Sequence, residues 1–409
     1  MTAYDAFLSP TGRELADSAI RRMGTVIARQ PDMVSFAAGY PDPVSFPWDE
    51  LRDIARELLS GADGQVLQYG PTRGYAPLLD SIVPVLAKRH IKAATDELLV
   101  TSGSQQGIDL IARVLVTPGD VVLVELPAYT GAIAAFKNAQ ARLAGVKQDE
   151  DGINLDDLDE VCLRQRLAGR RVNLLYLVPN FQNPAGLLLG LDKRRRLVEW
   201  AERRNVLIVE DDPYGSLYFD DAATEAETVP IRAIDPNGRV LYLSTFSKTL
   251  APGFRVGWMV APATLADRFE TAKQTIDLMT GSLDQRIVHE AVRRGALERL
   301  APQLRAQYRA KRDAMEQALR RELGDLLRWP APKGGFFLWA TLPSGTDDNA
   351  LLARALEHKL VFVVGSAFHV DGSGHDKIRL SFSAPTVERI EEGARRLAAA
   401  LMPALSKSG

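Results

Sequence analysis

The stretch "STFSKTLAPGFRVGW" at 244–258 sets one lysine, Lys248, among hydroxyls and follows it with Arg255. An amine held near cationic groups or away from water has a lowered pKa and becomes a usable nucleophile. Arg255 offers a fixed planar charge suited to a phosphate. "TSGSQQG" at 101–107 sets Ser104 and free backbone N–H groups at a helix start, where an anion is favoured, although a Ser-Gly-Ser turn alone is more often just a helix cap. In "PNFQNPAG" at 179–186, Asn183 is held before Pro184 in an extended or turn geometry that aims its amide outward; a plain β-turn explains it as well. "VEDDPY" at 209–214 puts three carboxylates in a row ahead of Tyr214. Burying such charges unpartnered is costly, so at least one should meet a cation. Asp211 with Tyr214 is the sharper pair, while Glu210 and Asp212 read as paired or solvated.

Taken together, an imine-forming lysine, a carboxylate to face a ring nitrogen and a phosphate cradle are what pyridoxal phosphate demands of a protein. The combination suggests a lysine Schiff base with a phosphorylated aldehyde cofactor.

Each of these clusters follows an apolar run that reads as a strand. The runs are "ELLVT" (97–101), "VVLVE" (121–125), "VNLLYLV" (172–178), "VLIVE" (206–210), "RVLYLS" (239–244) and "VGWMVA" (256–261), and their near-continuous Val, Ile and Leu imply burial on both faces. Alternation with helical patterns predicts repeated βαβ units on a mainly parallel sheet, whose ligands bind beyond the carboxyl ends of the strands. Helices are expected over 104–117 and 192–204, the latter capped by Asp192, with "KRRR" as a solvated face. After 263 come long Arg- and Glu-rich helices, then "GFFLWATL" (335–342), "VFVV" (361–364), "KIRLSF" (377–382) and a closing helix near 386–402, a smaller α+β domain. The first 45 residues are turn-rich and read as an arm. The expected division is an arm at 1–45 associated with the small domain, a large cofactor-binding domain at 46–295 and a small domain at 296–409.

Composition excludes several classes. Hydrophobic residues at 46% and charged residues at 25% are those of a globular chain, and a net charge of −2 provides no field to draw it to nucleic acid or to a membrane. The single cysteine, Cys162, rules out an internal disulfide framework, and the five scattered histidines lack zinc-site spacing, so no metal is expected. The start lacks the basic and apolar regions of a secretion signal, and the chain reads as cytoplasmic.

With "NPAG", "EDDPY" and Thr245-Phe246-Ser247-Lys248 followed by Arg255 in this order, the chain resembles the pyridoxal-phosphate aminotransferases of fold type I, class I/II, over about residues 20–400. It is most similar to their 2-aminoadipate and kynurenine branch. The resemblance implies an α/β fold, a large domain with a mainly parallel sheet between helices plus a smaller α+β domain. It implies that Lys248 binds the cofactor aldehyde and then shuttles the substrate proton, that Asp211 pairs with the pyridinium nitrogen, and that Asn183 and Tyr214 bond the ring's phenolate oxygen. Tyr129 would stack on the ring. Ser104, Gln105, Thr245, Ser247 and Arg255 would hold the phosphate, with Tyr69 reaching in from a second subunit of a homodimer. Arg379, assisted by the Gly39 backbone, would clamp the substrate α-carboxylate, and Arg21 would receive an acidic side chain. The branch usually reads Gly-Gly-Leu-Pro where this chain has "AAGYPDP"; Ala38 and Tyr40 would reshape that pocket, which then suits aromatic or aliphatic side chains as well as acidic ones. The implied activity is amino transfer between an L-amino acid and a 2-oxo acid, with glutamate and 2-oxoglutarate as the common pair and 2-aminoadipate, aromatic or branched-chain partners. The rivals are a β-lyase or decarboxylase on the same fold, or a non-catalytic effector-binding domain, for which too few residues precede the matching region.

Overall fold

Strands apolar on every residue need cover on both faces, and the fold supplies it. The computed structural model describes residues 4–15, 32–61 and 63–405; Arg21 and its neighbour Arg22 lie outside them. In chain order the strands are β1 (Val34–Ser35), β2 (Leu98–Thr101), β3 (Val121–Leu126), β4 (Arg142–Asp149), β5 (Gly152–Ile153), β6 (Val172–Leu177), β7 (Leu207–Asp211), β8 (Val240–Thr245), β9 (Gly257–Val260), β10 (Phe337–Thr341), β11 (Leu360–Val361), β12 (Val363–Val364) and β13 (Lys377–Ser381). Eight of them form a sheet in the order β2-β9-β8-β7-β6-β3-β4-β5. β4, β3, β6, β7 and β8 pair parallel, while β9 runs antiparallel to both of its neighbours. Alternate residues serve opposite cores: Val122 and Val124 pack with Leu174, Tyr176 and Leu241, whereas Val121 and Leu123 pack with Leu175 and Leu177.

β9 departs from the βαβ expectation. The connection from β8 to β9 holds no α-helix, and an antiparallel neighbour needs only such a turn. That turn carries Lys248 and Arg255. β4 was not anticipated, because its half-exposed residues alternate and do not form an apolar run.

A second sheet, β10-β13-β12, is antiparallel, with β13 in its centre. The described part of the N-terminal arm docks beside it. β1 pairs parallel with β11, Phe36 N donates to Val361 O at 2.8 Å, and Ser381 N donates to Phe36 O at 2.8 Å. The arm is then fixed to the long helix Ala296–Leu323, where Lys311 Nζ meets Asp42 Oδ2 at 2.5 Å. No described helix is long and apolar enough to cross a membrane.

The helix Leu191–Arg204 corrects two local expectations. Its N-cap is Gly190, not Asp192, which falls in the first turn, where its charge still suits the helix dipole. The "KRRR" run is not one solvated face. At 3.6 residues per turn, Arg194 shares a side with Leu197, Val198 and Ala201 and is 1% exposed. Its guanidinium donates to Leu189 O (3.0 Å), Val229 O (2.7 Å), Pro179 O (3.3 Å) and Asn180 Oδ1 (2.8 Å), tying down the loop that carries Asn183. Removing it takes a donor from each of these acceptors inside the fold, and of the four, Pro179 O still accepts from Leu189 N at 2.8 Å. Arg194→Ala is expected to lower unfolding free energy by about 3–5 kcal/mol in denaturant melts, against less than about 0.5 kcal/mol for the exposed neighbour Arg195→Ala. Equal effects at the two positions would contradict this role.

Candidate active site

The antiparallel position of β9 brings two site turns together. Thr101 at the end of β2 and Thr245 at the end of β8 both pair with Gly257. A Cβ on Gly257 would lie 2.8 Å from Ser244 O and 3.0 Å from Gly103, so only glycine permits this approach. Beyond the strand ends lies a cleft of about 520 Å³, within the usual range for small-molecule sites.

Lys248 sits in the turn after β8, which Phe246 anchors by packing on Trp258 at 4.7 Å between ring centroids. Its Nζ donates to Gly39 O at 3.0 Å, a contact made possible by the docked arm. Burial pushes the amine down to about 8, Arg379 and Arg255 push the same way, and Asp211 opposes them. The amine is still mostly protonated at neutral pH but keeps a usable neutral fraction, far larger than an ordinary lysine's, as expected of an amine among cations.

The three carboxylates after β7 have separate fates. Glu210 turns away to accept from Ile231 N (2.7 Å) and Arg232 N (2.8 Å). Asp212 meets the expected cation, Arg89, at 3.2 Å, and also accepts from Asn180 Nδ2 (2.8 Å) and Tyr242 (3.2 Å). Asp211 alone faces the cleft. Its Oδ2 accepts from Tyr176 on β6 at 2.8 Å, and its buried Oδ1 has no hydrogen-bond partner among the described residues. Burial lifts this carboxyl to about 7, aided by the charge of Asp212 and opposed by the Tyr176 bond and Lys248. An unpaired, buried acceptor oxygen is what a protonated ring nitrogen would satisfy.

The third cluster turns Asn183 to the cleft by way of Gln182. Gln182 Nε2 donates to Pro127 O (2.7 Å) and Glu125 (3.2 Å), and its Oε1 accepts from Ala185 N (2.7 Å). Asn183 Oδ1 accepts from Arg379 Nη1 at 2.8 Å, leaving its amide nitrogen on the other side. Arg379 lies on the central strand β13, so it is no edge-strand surface arginine; it is 1% exposed. Its Nη2 donates to Ala37 O, its Nε is unpaired among the described residues, and rings flank it at 4.3 Å (Phe337) and 5.2 Å (Phe368). Among the described residues, no carboxylate lies within ion-pair distance of it. Burial lowers this guanidinium to about 10.

Ser104 opens the helix Ser104–Leu115, with Gly103 as N-cap at φ 77°. A side chain on Gly103 would strike the guanidinium of Arg255. Arg255 Nη2 donates to Ser102 O at 3.1 Å and Nη1 to Ser247 Oγ at 3.4 Å, while Thr245 Oγ1 lies 2.8 Å from Ser247 Oγ. These hydroxyls, the helix start and an arginine with no described carboxylate beside it form a cradle suited to a phosphate. Gln105 donates to Gly131 O at 3.0 Å and accepts from Tyr129 at 3.3 Å. Tyr214 is buried edge-on against Phe336 at 5.4 Å, and its phenol is pushed up, chiefly by burial. Tyr40 lines the cleft while 54% exposed, and Gly39 is fixed by closeness, since a Cβ there would lie 2.7 Å from Phe337.

Two expected residues stand apart: Tyr69 is 77% exposed and lines no part of its own chain's cleft, and Arg21 is outside the described residues. Three others went unnoticed in the sequence. Tyr176 was readable as a hydroxyl inside an apolar strand that must find an acceptor. Phe337, lying 4.3 Å over Arg379, and Gly131, where a Cβ would hit the Tyr129 ring at 2.5 Å, carried no sequence signal. The donor set, with the orphaned Asp211 oxygen and the cradle, fits pyridoxal phosphate.

The family model "Aminotransferase class I and II" matches residues 31–397. Aromatic-amino-acid aminotransferase 1 of Thermococcus litoralis is 37% identical over 405 residues, covering 99% of this chain and 96% of that protein. The 2-aminoadipate transaminase of Thermus thermophilus is 40% identical over 397 residues, covering 97% and 96%. Among solved structures, Pyrococcus horikoshii kynurenine aminotransferase, in complex with PMP, KYN as substrates and KYA as products, superposes with a TM-score of 0.92 at 37% identity over 98% of each chain. On sequence, fold and cofactor-fitting cleft together, the chain belongs to the class I and II aminotransferases, pyridoxal-phosphate enzymes, in the branch of aromatic, 2-aminoadipate and kynurenine aminotransferases.

Proposed function

We propose that this aminotransferase moves the amino group of an L-amino acid to a 2-oxo acid, with glutamate and 2-oxoglutarate as one pair and a 2-aminoadipate, aromatic or branched-chain amino acid as the other partner. The observation that carries the reading is Arg379, a buried guanidinium in the cleft with no described carboxylate beside it, which an α-carboxylate would neutralise bidentately. When bound, pyridoxal phosphate supplies an aldehyde that joins amines and a protonated ring that withdraws electrons from the substrate α-carbon. Lys248 is the resting anchor for the aldehyde. Displaced by substrate, its Nζ takes the proton from the α-carbon of the amino donor and, in the other half of the cycle, gives one to the α-carbon of the 2-oxo acid; an amine near 8 is matched to that task at neutral pH. Asp211 Oδ1 holds the ring N–H, and Tyr214 and the Asn183 amide bond the ring oxygen. Tyr129 covers the ring, and Ser104, Gln105, Thr245, Ser247 and Arg255 bind the phosphate. Gly39 and Tyr40 border the substrate.

We also propose a homodimer in which Tyr69 completes the partner's phosphate cradle. Its exposure, and its absence from its own cleft, support this. The division into an arm (1–45), a large domain (46–295) and a small domain (296–409) is supported by the eight-stranded sheet falling wholly in the second and β10–β13 in the third.

Lys248→Ala should abolish amino transfer while circular dichroism and melting stay unchanged. Mixed with the weakened Tyr69→Ala chain, it should yield more activity than Tyr69→Ala alone, because a hybrid holds one intact site. Turnover by Lys248→Ala rejects its role, and no gain on mixing rejects the shared cradle.

In cofactor-free protein, Lys248 should react with trinitrobenzenesulfonate more rapidly as pH rises, with a midpoint at about 8, because only the neutral amine attacks. Arg379→Gln removes a cation that favours the neutral form and should move the midpoint up; Asp211→Asn should move it down. A midpoint in the ordinary lysine range, unmoved by either change, would contradict the electrostatics.

A donor screen of 2-aminoadipate, kynurenine, phenylalanine and leucine against 2-oxoglutarate, with glutamate assayed against pyruvate instead, tests the substrates. Arg379→Gln should lower kcat/KM roughly a hundredfold or more for every donor used, since all share the α-carboxylate. A loss confined to some donors would reassign Arg379. Failure of acidic donors while neutral ones work would remove Arg21 from the site.

A further inference from the structure

Behind the phosphate cradle lies a buried cation that the catalytic reading leaves without a task. Lys273, on the helix Ala263–Gln274, is 0% exposed. Its Nζ donates to Asp277 at 2.8 Å (Oδ1) and 2.9 Å (Oδ2), and to Gln106 Oε1 at 2.7 Å. Asp277 Oδ2 in turn accepts from Ser102 Oγ at 2.8 Å and Gln106 Nε2 at 2.7 Å. Gln106 Oε1 also accepts from Ser102 N at 2.8 Å, and Ser102 O is the acceptor for Arg255 at 3.1 Å. The Ser102-Gly103-Ser104 turn and the first turn of its helix are thereby gripped from behind by one carboxylate and one amine.

The carboxylate does useful work on geometry but harm by charge. Asp277 fixes Ser102 and Gln106, the residues on either side of Ser104 and Gln105, yet a negative charge so near a helix N-terminus opposes the binding of a dianion there. A buried lysine is costly unless paired, and this one is paired with the carboxylate whose field would otherwise reach the cradle. Resting on the assignment of Ser104, Gln105 and Arg255 to the cofactor phosphate, we propose that Lys273 is a positioning and charge-masking residue: it lets Asp277 lock the phosphate-binding turn without repelling the phosphate.

The test compares dissociation constants of pyridoxal phosphate and of unphosphorylated pyridoxal, measured by fluorescence quenching on the full chain, with circular dichroism as the check on folding. Wild type should bind the phosphorylated form more tightly; equal affinities would overturn the phosphate assignment itself. Lys273→Met should weaken pyridoxal phosphate by about tenfold or more and leave pyridoxal unchanged, and Lys273→Met/Asp277→Asn should recover most of that loss. An unchanged affinity, an equal loss for both ligands, or no recovery in the double variant would overturn the masking role while leaving the phosphate assignment standing. If Lys273→Met does not fold, Asp277→Asn alone decides: it keeps an acceptor for Ser102 and Gln106, so it should bind pyridoxal phosphate at least as tightly as wild type, and about tenfold weaker binding would overturn the proposal.

Discussion

The cleft is built around charges that the protein declines to neutralise within itself. Lys248, Asp211 and Arg379 all line it, yet no described ion pair joins any two of them, and Asp211 Oδ1 and Arg379 Nε are buried without a partner among the described residues. Burial drives each toward its neutral form: the amine to about 8, the carboxyl to about 7, the guanidinium to about 10. Such groups are costly to the empty fold and favourable once a ligand brings the opposite charges. The rest of the structure serves to keep them apart.

Separation is achieved by giving each charge its own element and its own neutral support. Tyr176 on β6 holds Asp211 with a hydroxyl, Asn183 holds Arg379 with an amide oxygen, and Gly39 holds Lys248 with a backbone carbonyl. None of these supports carries a charge that would satisfy the group it orients. Outside the cleft the fold does form ion pairs, Asp212 with Arg89, Asp42 with Lys311 and Asp277 with Lys273, while Arg194 and Glu210 are met by neutral groups.

The elements that present these groups come from distant parts of the chain. β9 sets the turns of Ser104 and Lys248 side by side. The arm carries Gly39 and Ala37 to Lys248 and Arg379 because β1 pairs with β11 and Asp42 is held on the long helix. The loop of Asn183 is pinned by Arg194 on one side and by Gln182 and Glu125 on the other. Glu125, fully buried and lifted to about 7 chiefly by burial, belongs to that support and lies outside the chemistry.

The sequence by itself determined the strands that are apolar throughout, the chemistry at their ends and hence the family, since a lysine among hydroxyls, a carboxylate with a tyrosine three residues on and a Ser-Gly-Ser helix start are local patterns. It also contained β4 and the buried side of "KRRR", but alternation on a half-exposed edge and a single inward arginine are weak signals against a background of solvated charge. The sequence also singled out Asp211 among the three carboxylates, but only the tertiary structure decided where Glu210 and Asp212 find their partners, that Arg379 is a central-strand residue, that Tyr176 and Phe337 belong to the site, and that Lys273 stands behind the phosphate turn. The reason is physical: burial and partner choice depend on contacts between residues tens to hundreds of positions apart, and the strength of a charge is set by what surrounds it in space.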